Sequence, residues 1–166
     1  MKNFTFRLCF LAVIGLSLSS CSKDSIEEME PAELNTEVPA VAYSGIEIEV
    51  LELVNAYRVQ KGLPELQYLD PASIQAQLHN EHMMEKDEVC HHDFPSRYSA
   101  LVNKANARTV SENVAYGYRT AEGAVNAWIK SEGHEKNMSG DFTHFGISVK
   151  QDEEGNFYYT NIFLRQ

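Results

Sequence analysis

Apolar and polar positions along the chain fall into blocks with different periods. From Ser44 onward, Ile46, Val50, Leu53, Val54 and Tyr57 recur at helical spacing, and Ser44 followed three residues later by Glu47 is a capping-box signature. Lys61-Gly62-Leu63-Pro64 ends this block, with Gly62 as the C-cap candidate and Pro64 unable to continue a helix. A second helix is predicted from Asp70-Pro71 to about Asp87, with Asp70 as N-cap and Pro71 in the first helical position. Ala72, Ala76, His79 and Met83 fall on one of its faces, with Ile74 and Leu78 beside them. Residues 93–109 carry no clear period and read as loop, with one helical turn near Tyr98 to Val102. Thr120 caps a third helix, Ala121 to about Ser131, which turns Ala124, Val125 and Trp128 inward; Gly133 breaks it, and His134 to Met138 forms a short turn.

The C-terminal block switches to period two. Phe145, Ile147 and Val149 alternate with Gly146, Ser148 and Lys150, a Gly-containing turn follows at 152–156, and Phe157 to Leu164 returns. Tyr159, Asn161 and Phe163 lie on one face of the return strand; Tyr158, Thr160, Ile162 and Leu164 lie on the other. Apolar groups on both faces require cover from both sides, so the fold class is α+β, a three-layer α-β-α sandwich. Residues 44–166 are 123 residues without an internal repeat, enough for one domain with its own core.

The N-terminal part has a different character. Lys2 and Arg7 precede an apolar run from Leu8 to Leu18, and the stretch closes Leu18-Ser19-Ser20-Cys21. The run is too short to cross a bilayer and reads as a secretory signal over 1–20. Its ending resembles a bacterial lipobox, which implies cleavage before Cys21 and lipidation of that residue; an ordinary soluble secretory signal is the alternative. Residues 22–40 hold Asp24, Glu27, Glu28, Glu30, Glu33 and Glu37 against Lys23 alone, broken by Pro31 and Pro39. Such a composition buries no core, so 21–43 is expected to be a lipidated, acidic tether. The acidic run is either a plain spacer or an outer-membrane surface-export signal. The expected location is the bacterial cell envelope, on the outer membrane and at the surface, with the membrane itself as a partner through the Cys21 lipid.

Charge narrows the choice of partners. The formal net charge of −10 becomes −12 when Lys2 and Arg7 leave with the signal, and there is no basic stripe, so nucleic acid is excluded as a partner. Of three cysteines, Cys9 leaves with the signal and Cys21 carries lipid; Cys90 remains without a partner for a disulfide. Cys90 reads as a helix-end thiol rather than a nucleophile.

Candidate chemistry concentrates between Val110 and His144. Glu112, Trp128, His134 and His144 fall there at expected turns and helix ends, where side chains can converge on a cleft, and His91-His92 lies where the second helix has just ended. His79 and His82, three apart on that helix, are either a metal pair or the polar rim of an amphipathic helix. No Gly-x-Ser-x-Gly is present, and His134-Glu135 lacks the second His of a zinc-protease helix.

Five motifs in order then carry a resemblance. They are Leu-Val-Asn-Ala-Tyr-Arg with Gly-Leu-Pro-Glu-Leu (53–66), a helix leading to His91, Ser-Glu-Asn-Val-Ala-Tyr-Gly (111–117), Ala-Val-Asn-Ala-Trp with Ser-x-Gly-His-x-x-Asn-Met (124–138), and Phe-Thr-x-Phe-Gly-Ile (142–147). Together they resemble the CAP superfamily, also called SCP-like, in its bacterial branch. The resemblance implies an α-β-α sandwich with a central, mostly antiparallel sheet and a cleft lined by His and Glu that holds a divalent metal such as zinc. His91 matches the first family His and Glu112 the Glu of Gly-Glu-Asn, with Ser111 replacing Gly. The second family Glu would fall at Ser131 and the second His at Asp141, while His134 matches the Gly-His of the bacterial branch.

These matches make His91, Glu112, Trp128, His134, Asp141 and His144 the cleft candidates, with His91 and His134 as metal ligands. A carboxylate beside an imidazole fixes its tautomer, and two His with an open position could hold a zinc-bound water. Three functions follow: a lipid-anchored binding module for a metal, lipid, glycan or peptide; a metal-dependent hydrolase of peptide or cell-envelope substrates; or an adhesion scaffold with a vestigial cleft. A buried network tying loops to the sheet is the structural alternative for His91, Glu112 and His134.

Overall fold

The computed structural model describes residues 40–166. The expected signal, Cys21 and the acidic run up to Pro39 lie outside the described residues. Helix α1 spans Gly45–Gln60, strand β1 Gln67–Tyr68, α2 Asp70–Lys86, α3 Phe94–Ala105, β2 Thr109–Tyr116, α4 Ala121–Lys130, α5 Glu132–Met138, β3 His144–Gln151 and β4 Phe157–Arg165.

The strands form one sheet in the order β1-β3-β4-β2, in which β3–β4 and β4–β2 are antiparallel and the two-residue β1 runs parallel to β3. One face packs Phe145, Ile147, Tyr159 and Phe163 against Val50 and Val54 of α1, Val125 and Trp128 of α4, and Met138 of α5. Ile162, Leu164 and Val110 on the opposite face meet Ala72 and Ala76 of α2 and Leu101 and Ala105 of α3. Helices thus cover both faces, and the three-layer sandwich expected from the two-faced return strand is the observed architecture.

Local chemistry explains most of the boundaries. The Ser44–Glu47 capping box is present, and Gly62 adopts φ +75° just past the end of α1, where a side chain would be strained. The Glu47 carboxylate also accepts the Val149 N–H at 2.8 Å, so one residue caps a helix and ties it to β3. Thr120 accepts the Gly123 N–H at 3.1 Å and starts α4 as expected.

Several expectations need correction. Leu69, not Asp70, is the N-cap of α2, and the Asp70 carboxylate instead accepts from the Val41 N–H at 3.2 Å and the Tyr43 hydroxyl at 3.1 Å. The folded part therefore begins before Ser44, because these residues are bound to α2 and do not belong to a free tether. Leu78, placed beside the buried face, is 53% exposed. Residues 94–105 are a full helix, which Pro95 tolerates because it sits in the first turn. Residues 109–116 are a strand, so Glu112 sits mid-strand and not at a turn. The break after α4 is Ser131, in an extended conformation, while Gly133 lies inside α5.

Two features set the spacing of the layers. A Cβ on Gly146 would fall on Ala72 Cβ and on the Ala72–Ser73 peptide, so the absent side chain lets α2 lie directly on β3. Arg58 is fully buried, and its guanidinium donates to the carbonyls of Pro64 (2.9 Å), Met138 (2.8 Å) and Gly140 (2.9 Å), clamping α1 to the loop before β3. Burial lowers its pKa, and carbonyl lone pairs replace the lost hydration. Gly146→Ala is expected to destabilise the protein by about 1–3 kcal/mol through overpacking. Arg58→Leu, which strands several carbonyls, should destabilise it by roughly 3 kcal/mol or more. Urea denaturation against the exposed Arg119→Leu, expected within about 0.5 kcal/mol of wild type, checks both.

Candidate functional site

The site is built on β2, the outer strand of the sheet, whose second row of backbone groups has no strand partner among the described residues. Side chains close that edge: the Trp128 indole N–H donates to the Val114 carbonyl at 3.0 Å and Asn137 Nδ2 to the Glu112 carbonyl at 3.1 Å. Asn137 also donates to Asn113 Oδ1 at 2.9 Å, and Asn113 Nδ2 donates to the His134 carbonyl at 3.0 Å, which seats the start of α5 beside the strand. Ser111 Oγ and the Asn161 side-chain amide are buried without a hydrogen-bond partner among the described residues.

Glu112 lies in the same register row as Ile162 of β4, so its side chain joins the α2–α3 face, where it is 2% exposed. A carboxylate taken this far from water needs a counter-charge. Arg97 of α3 supplies it: Nε donates to Oε2 and Nη2 to Oε1, both at 2.8 Å. Arg97 Nη1 holds the His92 carbonyl at 2.6 Å, and His91 Nδ1 lies 2.9 Å from Glu112 Oε1. A carboxylate can only accept, so His91 donates through Nδ1 and keeps Nε2 free on a side chain that is 53% exposed. Burial pushes the Glu112 pKa up, but the hydrogen bonds from His91 and Arg97 outweigh it and hold the group below its ordinary value.

Two further imidazoles approach this pair. His79 of α2 is fully buried, with Nδ1 3.0 Å from Thr160 Oγ1 and 3.7 Å from Glu112 Oε2. Its pKa is lowered to about 4 by burial, against the pull of Glu112 and with help from the Arg97 charge. His134 is lowered by burial and next by the His91 charge. His91, Glu112, Arg97 and His79 therefore form one hydrogen-bonded and electrostatic group, and His134 lies near enough to His91 for its pKa to be lowered by it.

The other candidates lie elsewhere. Trp128 is 1% exposed in the α1–α4 core, so it closes the edge of β2 and is not a cleft wall. Asp141 is exposed and paired with Arg165 at the end of β4. His144 opens β3, two strands away from β2, with Nδ1 2.8 Å from Thr143 Oγ1. Sequence reading misses Arg97, which it leaves in a loop. It places His79 on the face with Ala72, Ala76 and Met83, where it is buried; the reading of His79 with His82 as a polar rim is therefore wrong for His79.

A divalent ion at this site would compete with Arg97 for the same carboxylate. Both Glu112 oxygens are engaged by the guanidinium, and His91 spends one nitrogen on Oε1. Among the described residues no group of three or more His, Cys, Asp or Glu side chains is arranged to hold a metal ion. His91 and His134 alone fall short of the three or four ligands zinc takes. The residues as placed do not fit a resident metal.

The family model for the cysteine-rich secretory protein family, CAP, matches residues 51–163. The chain belongs to the CAP family. Two curated relatives come from Bacillus subtilis: the uncharacterized protein YkwD, 34% identical over 71% of this chain and 47% of its own length, and the uncharacterized membrane protein YlbC, 32% identical over 72% of this chain and 34% of its own. This CAP chain thus spans less than half the length of either. An outer surface protein from Borrelia burgdorferi shares the fold at a TM-score of 0.68 and 16% identity, over 76% of this chain and 96% of that one. An extracellular Bacillus anthracis protein containing an SCP domain does so at 0.63 and 23%, over 76% of this chain and 45% of that one.

The buried His79 makes stability depend on pH. A His held neutral in the fold takes up a proton more readily when unfolded, so stability is complete above the ordinary His pKa of 6.5 and falls as pH drops toward the folded value of about 4. His134 adds a slope of the same sign. Wild-type unfolding free energy should fall by on the order of 3 kcal/mol across that window, and His79→Gln should lose most of the slope. Chemical denaturation at a series of pH values measures it.

Proposed function

We propose that this CAP domain is an extracytoplasmic binding module, lipid-anchored at Cys21, that holds a polar glycan or peptide ligand directly through His91 and His134 without an intervening metal. One observation carries the reading: the buried Glu112 is already neutralised by Arg97, so the two imidazoles are left to the ligand. His91 is fixed by its Nδ1 bond to the carboxylate and presents Nε2 as a hydrogen-bonding group. His134, lowered in pKa, is biased to its neutral form and can donate or accept. A pre-oriented imidazole with a free Nε2, beside a second one biased to its neutral form, can exchange hydrogen bonds with amide and hydroxyl groups.

The location rests on separate support. Relatives and neighbours carry the descriptions membrane protein, extracellular protein and outer surface protein. The Leu-Ser-Ser-Cys ending at Cys21 after a short apolar run supplies the anchor, and the acidic run up to Glu37 the spacer.

Zinc titrated into the metal-stripped protein by calorimetry should give no stoichiometric binding at neutral pH. Co-sedimentation with purified cell-wall glycan and its attached peptides should persist in EDTA, and His91→Ala with His134→Ala should weaken it about tenfold. Tight one-to-one zinc binding, or ligand binding abolished by EDTA, would contradict the reading and restore the metal-dependent alternatives. Cys21→Ser should end fatty-acid labelling of the protein and move it from the membrane fraction to the soluble one.

A further inference from the structure

Two stretches far apart in the chain bring carboxylates to one place. Glu81, Glu85 and Asp87 come from the end of α2 and its left-handed C-cap, and Asp152, Glu153 and Glu154 from the turn between β3 and β4; all six line an open cavity of about 490 Å³. Lys86 pairs with Glu85 at 2.9 Å. Lys150, opposite Tyr158 in the β3–β4 ladder, makes no ion pair with any of the six among the described residues. Asp152 accepts from the Glu154 and Asn156 backbone N–H groups at 3.0 and 2.8 Å and from Asn156 Nδ2 at 3.1 Å, but these donors are neutral and leave its charge whole. The cavity wall therefore carries negative charge that the fold leaves uncompensated.

Surface carboxylates are ordinarily just solvated; the buried Tyr158 sets this group apart. Tyr158 is 1% exposed and lines the same cavity. Its hydroxyl makes no hydrogen bond among the described residues, although the Tyr116 ring packs edge-on at 4.8 Å between centroids. Unlike the unpartnered side-chain atoms of His79 and Asn161, that hydroxyl is not sealed from solvent. Burial, then the Tyr116 phenol and the Asp87 and Asp152 charges, push its pKa up to about 12, so it lies in the field of carboxylates from both stretches and stays protonated. We propose that this cavity is a docking site for an arginine side chain from a basic segment of a partner protein, with the guanidinium between the two acidic stretches and one N–H donated to the Tyr158 hydroxyl oxygen.

The layout of the charge selects the ligand. Among the described residues no three acidic groups converge closely enough to hold a metal ion, so a compact ion is poorly served. A guanidinium is planar, carries five N–H donors and can meet acceptors on two sides at once, which an ammonium on its single point of charge does less well. Met84 offers apolar surface to the methylene stem, and the Tyr116 ring, 40% exposed beside Tyr158, offers a face for cation–π contact. The cavity shares no lining residue with the His91–His134 pair, so it stands or falls apart from the cleft reading.

Fluorescence anisotropy on the full chain at low ionic strength tests this, using a labelled peptide of alternating Gly and Arg, matched Lys and Glu peptides, and calcium chloride and spermidine as competitors. Saturable binding is expected for the arginine peptide, weaker binding for the lysine peptide and none for the glutamate peptide. Asp87→Asn with Glu154→Gln should weaken the arginine peptide about tenfold or more. Asn at 87 tolerates the left-handed backbone there, so the fold is kept. Glu49→Gln with Glu52→Gln, the same change in net charge at exposed positions of α1, should leave affinity within about twofold of wild type. Tyr158→Phe, which keeps the ring and removes the hydroxyl, should weaken binding about fivefold with the fold intact by circular dichroism. The proposal is overturned if the arginine peptide does not bind, or if the α1 variant loses as much as the cavity variant, which would make the attraction a property of net charge. Equal affinity in Tyr158→Phe, or a lysine peptide that binds as tightly, would overturn it too. Tighter binding of calcium or spermidine than of the arginine peptide would give the cavity to a metal ion or a polyamine instead.

Discussion

A carboxylate buried in the face of an outer strand has to be neutralised, and the way Glu112 is neutralised determines the arrangement around it. Arg97 must bring its planar fork within 2.8 Å of both oxygens, which places the first turn of α3 against β2. The same guanidinium holds the His92 carbonyl, so the residues between α2 and α3 are drawn in, and His91 is delivered to Glu112 Oε1. Had a metal ion supplied the counter-charge, the carboxylate would be shared with other protein ligands. Here the counter-charge is covalently part of the chain.

The sheet makes this possible because both of its edges are finished by side chains. Beyond the two residues of β1, the outward N–H groups of β3 are taken by Ser73 Oγ at Ile147 and by Glu47 Oε1 at Val149. On the other edge, Trp128 and Asn137 satisfy outward carbonyls of β2. An edge finished this way resists pairing with another chain. It also lets α5 come close enough for His134 to feel the His91 charge. Dependence on particular side chains at the edges gives Asn137, Asn113 and Trp128 a structural role, binding the β2 edge, in place of the cleft role expected of Trp128.

The legible parts of the sequence are those where local chemistry and burial agree. The capping box at Ser44, Gly62 past the end of α1, Thr120 at the start of α4 and the period-two hairpin all carry their own signals, and each stands where its signal places it. Strand β2 is obscured because Glu112 occupies a core-facing position in the row Val110, Glu112, Val114, so a functional residue interrupts the alternation that marks a strand. Helix α3 reads as loop through Pro95 and its polar end at Asn103 and Lys104, although Phe94, Tyr98, Leu101 and Ala105 keep helical spacing. Missing that helix means missing Arg97 as the partner of Glu112. Of the cleft candidates, His91 and Glu112 are hydrogen-bonded and His134 sits at the start of α5 beside their strand, while Trp128 is in the core, Asp141 pairs with Arg165 and His144 opens β3.

The central claim is that Arg97 and Glu112 are one unit, each stable in its place because of the other. A double-mutant cycle on chemical denaturation measures this directly, using Arg97→Leu, Glu112→Leu and the double variant. Each single substitution should destabilise the protein by about 3–5 kcal/mol by leaving a buried charge alone. The double variant should be less destabilised than the sum by on the order of 2 kcal/mol or more. Additive losses would mean that Glu112 draws its neutralisation from another source, and the account of a metal-free cleft would fail with it.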